Sequence, residues 1–351
     1  MTQLLTLDRA GLYCAAGGFH IDPWQPAERA VITHAHADHA RGGSRAYLGA
    51  AEGEPVLRAR LPDDATIQTL RYGERRRIGD VEVSLHPAGH VLGSAQVRIE
   101  GGGEVVVVSG DYKLAPDPTC APFEPVPCTT FVTESTFGLP IYRWQPPEAV
   151  FADLRAWWAA NAGEGLATVV FAYALGKAQR IAAGLAALGA LPGPIACHGA
   201  LARINQAYAD AGVALPAMQP VATAPAGTSW AGALVLAPPS AQGSTWMRRF
   251  EPCRTATASG WMTIRGTRRR ANVDRGFVLS DHADWPALNT AVDASGASEI
   301  WVTHGYRDEF VRWIAQTRPG RRVAGLATHF EGEQGAAQPV VPGAESGGDT
   351  P

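Results

Sequence analysis

The sequence predicts an α/β protein in which one domain is split in sequence by an inserted parallel α/β module. Three observations predict it. Short apolar strands recur up to about residue 140, each closing on a tight turn that carries His or Asp. Strands and helices then alternate through the middle of the chain, and the strand-then-ligand pattern returns after residue 276.

The elements follow in order. Residues 1–8 have no basic leader or cleavage pattern and read as a first strand rather than a signal peptide. Strands and turns continue from there, with helical pieces limited to segments such as the one after Asp38. Behind Pro147, residues 148–158 carry helical spacing. A strand over 168–172, a helix over 177–188, a strand over 195–197, a helix over 201–211 and a strand over 233–236 make the alternating module. From Gly276 the chain returns through a strand over 277–279, a helix over 285–293, a strand over 299–302 and a helix over 307–316. The units are therefore 1–144 and 276–332 for the split domain and 145–275 for the insertion. Residues 333–351, rich in Gly, Ala, Pro and Glu, read as a disordered tail.

At 351 residues with 46% hydrophobic composition, each unit is long enough for its own core. No apolar run reaches the roughly eighteen residues needed to span a membrane, so a cytoplasmic protein is expected. Cys14, Cys120, Cys128, Cys197 and Cys253 form no CxxC pair, and an odd number argues against a complete disulfide framework. They read as buried free thiols.

Chemistry concentrates in Thr33-His34-Ala35-His36-Ala37-Asp38-His39, directly after the apolar strand 30–32. Residues two apart at a strand end project to one side, so His34 and His36 can share one metal while Asp38 and His39, past the bend, reach a second. Further ligands stand at the ends of other strands: His90 in Pro87-Ala88-Gly89-His90, Asp111 in Ser109-Gly110-Asp111, and His304 in Thr303-His304-Gly305. The expected assignment is His34, His36 and His90 on one ion, Asp38, His39 and His304 on the other, and Asp111 bridging. Imidazole with carboxylate suits zinc, and manganese is tolerated.

These segments resemble the metallo-β-lactamase superfamily, whose fold is a four-layer αβ/βα sandwich with a dimetal site at the sheet edges. Glu134-Ser135-Thr136-Phe137-Gly138 is similar to the ESTYG-type motif A of the β-CASP nucleases, and Ser280-Asp281-His282-Ala283-Asp284 to their motif B. His304 then stands as motif C, and Ala174-Leu175-Gly176-Lys177-Ala178-Gln179 resembles a stretch of the β-CASP cap. Asp281 where many relatives carry Ala, and Phe137 where many carry Tyr, depart from the pattern without removing a ligand. The chain looks most like the short bacterial DNA exonucleases associated with an ATP-dependent DNA ligase and a helicase in repair clusters. Artemis-type nucleases and the cleavage and polyadenylation endonuclease are wider relatives.

The resemblance implies two divalent ions and hydrolysis of single-stranded DNA by a metal-activated water, with RNA cleavage the runner-up, and a ligase and a helicase as partners. A small-molecule hydrolase would leave motif B and the insertion unexplained, and a silent scaffold would have lost ligands. Asp38 belongs to the catalytic set. His282 is the candidate proton donor to the leaving oxygen, oriented by Glu134; the plainer readings are a phosphate hydrogen-bond donor and a buried structural carboxylate. Asp22 is expected to buttress a ligand histidine.

Substrate contacts are expected from Ser280, Lys113, Lys177 and His198, the last two near helix N-termini, and from Arg268, Arg269 and Arg270. For Lys177 an ordinary helix surface is the alternative. A net charge of −3 does not oppose nucleic acid, because Lys113 and Lys177 are the only lysines and arginines cluster at 75–77 and 265–275. A solvated loop is the plainer reading of either cluster. His20, His86 and His329 are read as unrelated to the site.

Overall fold

The computed structural model describes residues 4–328. His329 and the tail over 333–351 lie outside the described residues. Three sheets organise the chain. The first holds β1 (Thr6–Asp8), β2 (Gly11–Cys14), β3 (Phe19–Ile21), β4 (Arg29–Val31), β5 (Ala46–Ala50) and β6 (Ile67–Leu70) in that spatial order. Its first three strands are antiparallel and β3 through β6 parallel, so the metal-motif segment leaves from an inner strand, β4.

The second sheet begins with β7 (Arg75–Ile78), β8 (Val81–Pro87), β9 (Ala95–Gly101), β10 (Glu104–Val108) and β11 (Thr130–Ser135). The third is wholly parallel, in the order β14-β13-β15-β12-β16-β17. Its strands are β12 (Ala167–Phe171), β13 (Ile195–Cys197), β14 (Met218–Pro220), β15 (Leu234–Ala237), β16 (Cys253–Ala258) and β17 (Arg275–Phe277). The chain then completes the second sheet with β18 (Glu299–Gly305) beside β11 and β19 (Arg322–Gly325) at the edge.

Among the described residues seven α-helices accompany these strands: α1 (Glu54–Arg60), α2 (Pro147–Gly163), α3 (Lys177–Ala187), α4 (Gly199–Asp210), α5 (Arg265–Arg270), α6 (Trp285–Ala294) and α7 (Arg307–Thr317). The first two sheets share one core, in which Phe19, Val31 and Leu48 meet Val83, Val97, Val106 and Trp301. Strand β10 shows why its sequence is continuously apolar: Val106 and Val108 face that core, while Val107 points the other way into the packing of α6 and α7 with Leu288, Val292, Phe310 and Ile314. On the outer side of the first sheet, Ile32 and Tyr47 pack with Leu57 of α1, Tyr208 of α4 and Leu175 of the loop before α3.

Four local expectations needed correction. The segment after Asp38 is a turn, and the first α-helix is α1. Strands β14 and β16 were not anticipated, because Met-Gln-Pro is too short to show a period and Cys-Arg-Thr-Ala-Thr-Ala lacks large apolar residues. Helix α5 escaped for a similar reason, having no buried residue. Phe277 still pairs with Ala258 in the third sheet, so the return from that sheet falls after 276.

Candidate metal centre

The candidate residues come together at strand ends. His34 to His39 follow β4, His90 follows β8, Asp111 follows β10, and His304 sits near the end of β18. Gly110 makes this convergence possible. Its φ of +57° suits a residue without Cβ, and a Cβ there would stand 2.6 Å from that of Thr33. The turn carrying Asp111 is thereby pressed against the segment carrying His34.

Asp111 is the hub. Its Oδ2 lies 3.6 Å from His34 Nε2, 3.9 Å from His90 Nε2 and 3.5 Å from His39 Nε2, and its Oδ1 lies 3.0 Å from His304 Nε2. His36 Nδ1 stands 3.1 Å from both His34 Nε2 and His90 Nε2. One nitrogen from each of these three imidazoles and an oxygen of Asp111 therefore fit within 4.8 Å of one another. On the other side, Asp38 Oδ2 lies 3.7 Å from His39 Nε2. His39 thus shares Asp111 Oδ2 with His34 and His90, while His304 faces Oδ1.

The outward nitrogens fix the tautomers. His39 Nδ1 faces Asp22 Oδ2 at 2.7 Å, His90 Nδ1 faces the Asp281 carbonyl at 2.7 Å, and His36 Nε2 faces the Leu175 carbonyl at 3.1 Å. The Thr33 hydroxyl donates to Asp22, and the Thr303 hydroxyl to the Thr133 carbonyl. Each hydroxyl is left as acceptor for its neighbour, His34 Nδ1 or His304 Nδ1, at 3.1 Å. Carbonyl and carboxylate oxygens only accept, so in their neutral form all five rings carry the proton on the outer nitrogen and turn a lone pair inward. Lone pairs 3.1 Å apart repel unless a cation lies among them, and this donor set fits divalent ions of the zinc or manganese type.

Electrostatics agree. Burial, reinforced by His39 and His90, holds the His34 imidazole well below its ordinary pKa. Burial likewise lowers His36, and burial together with His282 and His36 lowers His90 strongly. Burial opposes the Asp111 carboxylate, but His39, His282 and His304 outweigh it and keep it well below the usual range. For His39 burial is again outweighed, by Asp111, Asp38 and Asp22, and the ring is pushed well above its ordinary value. Metal taken up at His39 would therefore release a proton.

Beside the hub, His282 Nδ1 meets Glu134 Oε2 at 2.9 Å and lies 4.0 Å from Asp111 Oδ2. Glu134 also accepts from Tyr112 N–H at 2.8 Å, and all three groups are buried. Asp22 stands close enough to His34 and His39 to join a metal group. Its oxygens, however, accept from Thr33 N–H, the Thr33 hydroxyl and His39, which makes it an orienting carboxylate.

The expected substrate contacts fare unevenly. Lys113 and Lys177 are 1% and 0% exposed, and their ammonium groups point to Asp117 at 2.7 Å and Asp281 at 3.7 Å. Both are internal ion-pair partners, which corrects their expected phosphate contact and the surface alternative for Lys177. Ser280 is buried, its Oγ accepting from His282 N–H. His198 caps α4 by accepting from Ala200 N–H, and its ring meets Trp246. Arg268 is tied to the Met262 carbonyl through two nitrogens, while Arg269 and Arg270 are exposed on α5. The run 75–77 forms an edge strand whose arginines pair with Glu82, Glu74 and Asp80. His20 and His86 pair with Asp8 and Glu124, away from the centre.

Asp117 and Arg180 were missed from sequence. Arg180 Nε lies 3.4 Å from Asp117, and its NH1 lies 3.1 Å from Asp281. One signal was available: Lys177 and Arg180 share the face of α3 that buries Ile181 and Gly184, so buried charges needing partners could have been inferred.

The chain belongs to the β-CASP group of the metallo-β-lactamase superfamily, as its motifs and relatives together show. It is 30% identical over 308 residues, 87% of its length, to a probable DNA ligase of Opitutus terrae, of which that stretch is 30%. It is 28% identical over 151 residues, 34% of the chain and 34% of the relative, to a ribonuclease of Thermus thermophilus. The chain thus spans about a third of the length of each of these relatives. No family model matches it. In fold it is similar to a protein of unknown function from Enterococcus faecalis, with a TM-score of 0.58 at 12% identity over 87% of this chain and 80% of that one. No helix among the described residues is long and apolar enough to cross a membrane.

Proposed function

We propose that this chain is a metal-dependent nuclease that removes nucleotides from the end of single-stranded DNA during repair. The observation that carries the reading is the set of inward-facing donors around Asp111, with the His282–Glu134 pair beside it. His34, His36, His90 and Asp111 would hold one ion, and Asp38, His39, His304 and Asp111 the other, zinc before manganese. Bound there, the ions supply Lewis-acid neutralisation of phosphate charge and acidify water toward neutrality.

The chain's own groups do the rest. Glu134 accepts from His282 Nδ1, so it is the doubly protonated ring, with Glu134 balancing its charge, that can present a proton from the opposite nitrogen to the leaving oxygen. Asp22 and the two threonine hydroxyls keep the rings in their ligating tautomers. The first two sheets with their outer helices are assigned to the αβ/βα sandwich, over 1–144 and from the end of β17 onward, and 145–277 to the cap that encloses the strand. A cytoplasmic location fits this role.

Similarity to a probable DNA ligase over most of the chain supports DNA as substrate and a DNA ligase as partner; the family resemblance adds ATP dependence of that ligase and a helicase. The shorter similarity to a ribonuclease keeps RNA as the second reading. The test is digestion of 5′- or 3′-labelled single strands of DNA and RNA of one sequence, with zinc or manganese, beside Asp38→Ala. Immediate release of labelled mononucleotide from one DNA end is expected. Internal RNA fragments would replace DNA by RNA, and no cleavage of either would overturn the nuclease reading.

A further inference from the structure

Two of the three imidazoles on one side of Asp111 are held from behind by parts of the chain far away in sequence. His36 Nε2 faces the carbonyl of Leu175, in the loop that opens α3. His90 Nδ1 faces the carbonyl of Asp281, in the loop after β17. Neither contact is part of the seven-residue donor set.

Both carbonyls are fixed by buried groups. Gln179 accepts from Gly176 N–H at 2.9 Å and donates to the Ala174 carbonyl at 3.0 Å, which locks the turn on either side of Leu175. Gly176 has φ +93°, and a Cβ there would stand 2.3 Å from Val91 Cγ1, so this turn rests directly on the residue after His90. Asp281 is clamped by two residues of α3: Arg180 NH1 reaches its carboxylate at 3.1 Å and the Ser280 carbonyl at 2.6 Å, and Lys177 Nζ stands 3.7 Å away. Arg180 continues to Asp117, and Asp117 to Lys113, whose ammonium donates to the carbonyl of His90 itself at 3.3 Å.

We infer that the start of α3 in the inserted module is a positioning element for the ion held by His34, His36 and His90, so that docking of this module sets that ion's affinity and leaves the other ion's unchanged. The chemistry is tautomeric. A carbonyl demands N–H on the nitrogen facing it, which leaves the lone pair of His36 Nδ1 and His90 Nε2 for the metal. If the module shifts, both rings lose that constraint together. His39 and His304 are oriented by Asp22, which follows β3, and by Thr303 of β18, both from the first two sheets. The inference rests on the dimetal reading above.

The test is metal binding itself: zinc and, separately, manganese titrated against a competing chelator into the full chain, wild type and two variants, with thermal melts alongside. Gly176→Ala should push the Leu175 turn off Val91, and the isosteric Asp281→Asn should loosen the clamp while keeping shape. In each, one of two bound equivalents should weaken by about 10- to 100-fold, the range for groups that orient a ligand, with the other held as in wild type. Should Gly176→Ala lose its cooperative melt, Asp281→Asn decides. Two equivalents held as in wild type, or both weakening in parallel with the melting temperature, would overturn the inference and leave the dimetal reading standing. A wild-type chain that binds no metal would instead overturn that reading, and the inference with it.

Discussion

Replacing Asp22 separates folding from metal orientation, because one carboxylate serves both. Its oxygens accept from Thr33 N–H at 2.7 Å, from the Thr33 hydroxyl and from His39 Nδ1 at 2.7 Å, all buried. Asp22→Ala strands three buried donors. At roughly 1–3 kcal/mol each the loss is about 3–9 kcal/mol, comparable with the whole stability of a domain, about 5–15 kcal/mol. That variant is expected to be poorly folded. Asp22→Asn keeps an oxygen for Thr33 N–H, while its amide takes the Oδ2 place shared by the Thr33 hydroxyl and His39, and Asn is among the residues that best tolerate the φ of +42° found here. Its amide N–H₂ would face His39 Nδ1, however, and drive the ring proton to Nε2, the nitrogen that faces Asp38 and Asp111. The fold should lose less than in Asp22→Ala, because all three groups keep a polar neighbour although their charge-assisted bonds become neutral. Metal affinity on the His39 side should fall about 10- to 100-fold. Thermal melts and chelator competition on the two variants measure both quantities. Wild-type metal affinity in a folded Asp22→Asn would refute the tautomer argument.

The remaining predictions are shorter. His282→Ala should reduce turnover at saturating single-stranded DNA by roughly 10²- to 10⁴-fold with Kd little changed; a raised KM at unchanged kcat would make His282 a binding group. Arg269→Ala/Arg270→Ala should weaken single-strand binding and lower the slope of log K against log salt by about 0.7 for each phosphate no longer neutralised. An unchanged slope would return these arginines to ordinary solvated surface. Burial pushes the Cys120 and Cys128 thiols up to about 12 and Cys197 to about 11, so native alkylation at pH 8 should be far slower than in denaturant. Because the raised values favour the protonated fold, their stabilising contribution is complete below the ordinary thiol pKa and is lost as pH rises through 11 to 12. Rapid labelling of the half-buried Cys120 at pH 8 would contradict its raised thiol pKa.

The donor set was legible because its signal is local. Strand-end periodicity puts His34 and His36 on one side, and each further ligand closes its own strand, so spacing and chemistry coincide within a few residues. The parallel sheet of the insertion was legible for the same reason where apolar strands meet amphipathic helices, and illegible in β14 and β16, where short or small-residue segments are recruited by neighbouring strands. Lys113 and Lys177 were misread because a lone lysine in sequence looks solvated. Only folding brings Asp117 and Asp281 against them, and those partners come from separate segments.

That misreading bears on how the protein can meet a polyanion. Lys113, Lys177 and Arg180 lie inside with Asp117 and Asp281, so these five charges are invisible to a phosphate outside. Arg75, Arg76 and Arg77 are balanced by neighbouring acids, and Arg275 by Asp153 at 2.7 Å. Exposed arginines near the motifs along the chain are Arg41, after His39, Arg143, beside the Trp144 that donates to the His282 carbonyl, and those of the short helix α5 just before β17. These arginines come from separate segments in a chain whose net charge is −3. A binding site that gathered them at one place would select a strand end presented there, whereas a broad cationic surface would hold duplex or internal segments equally well.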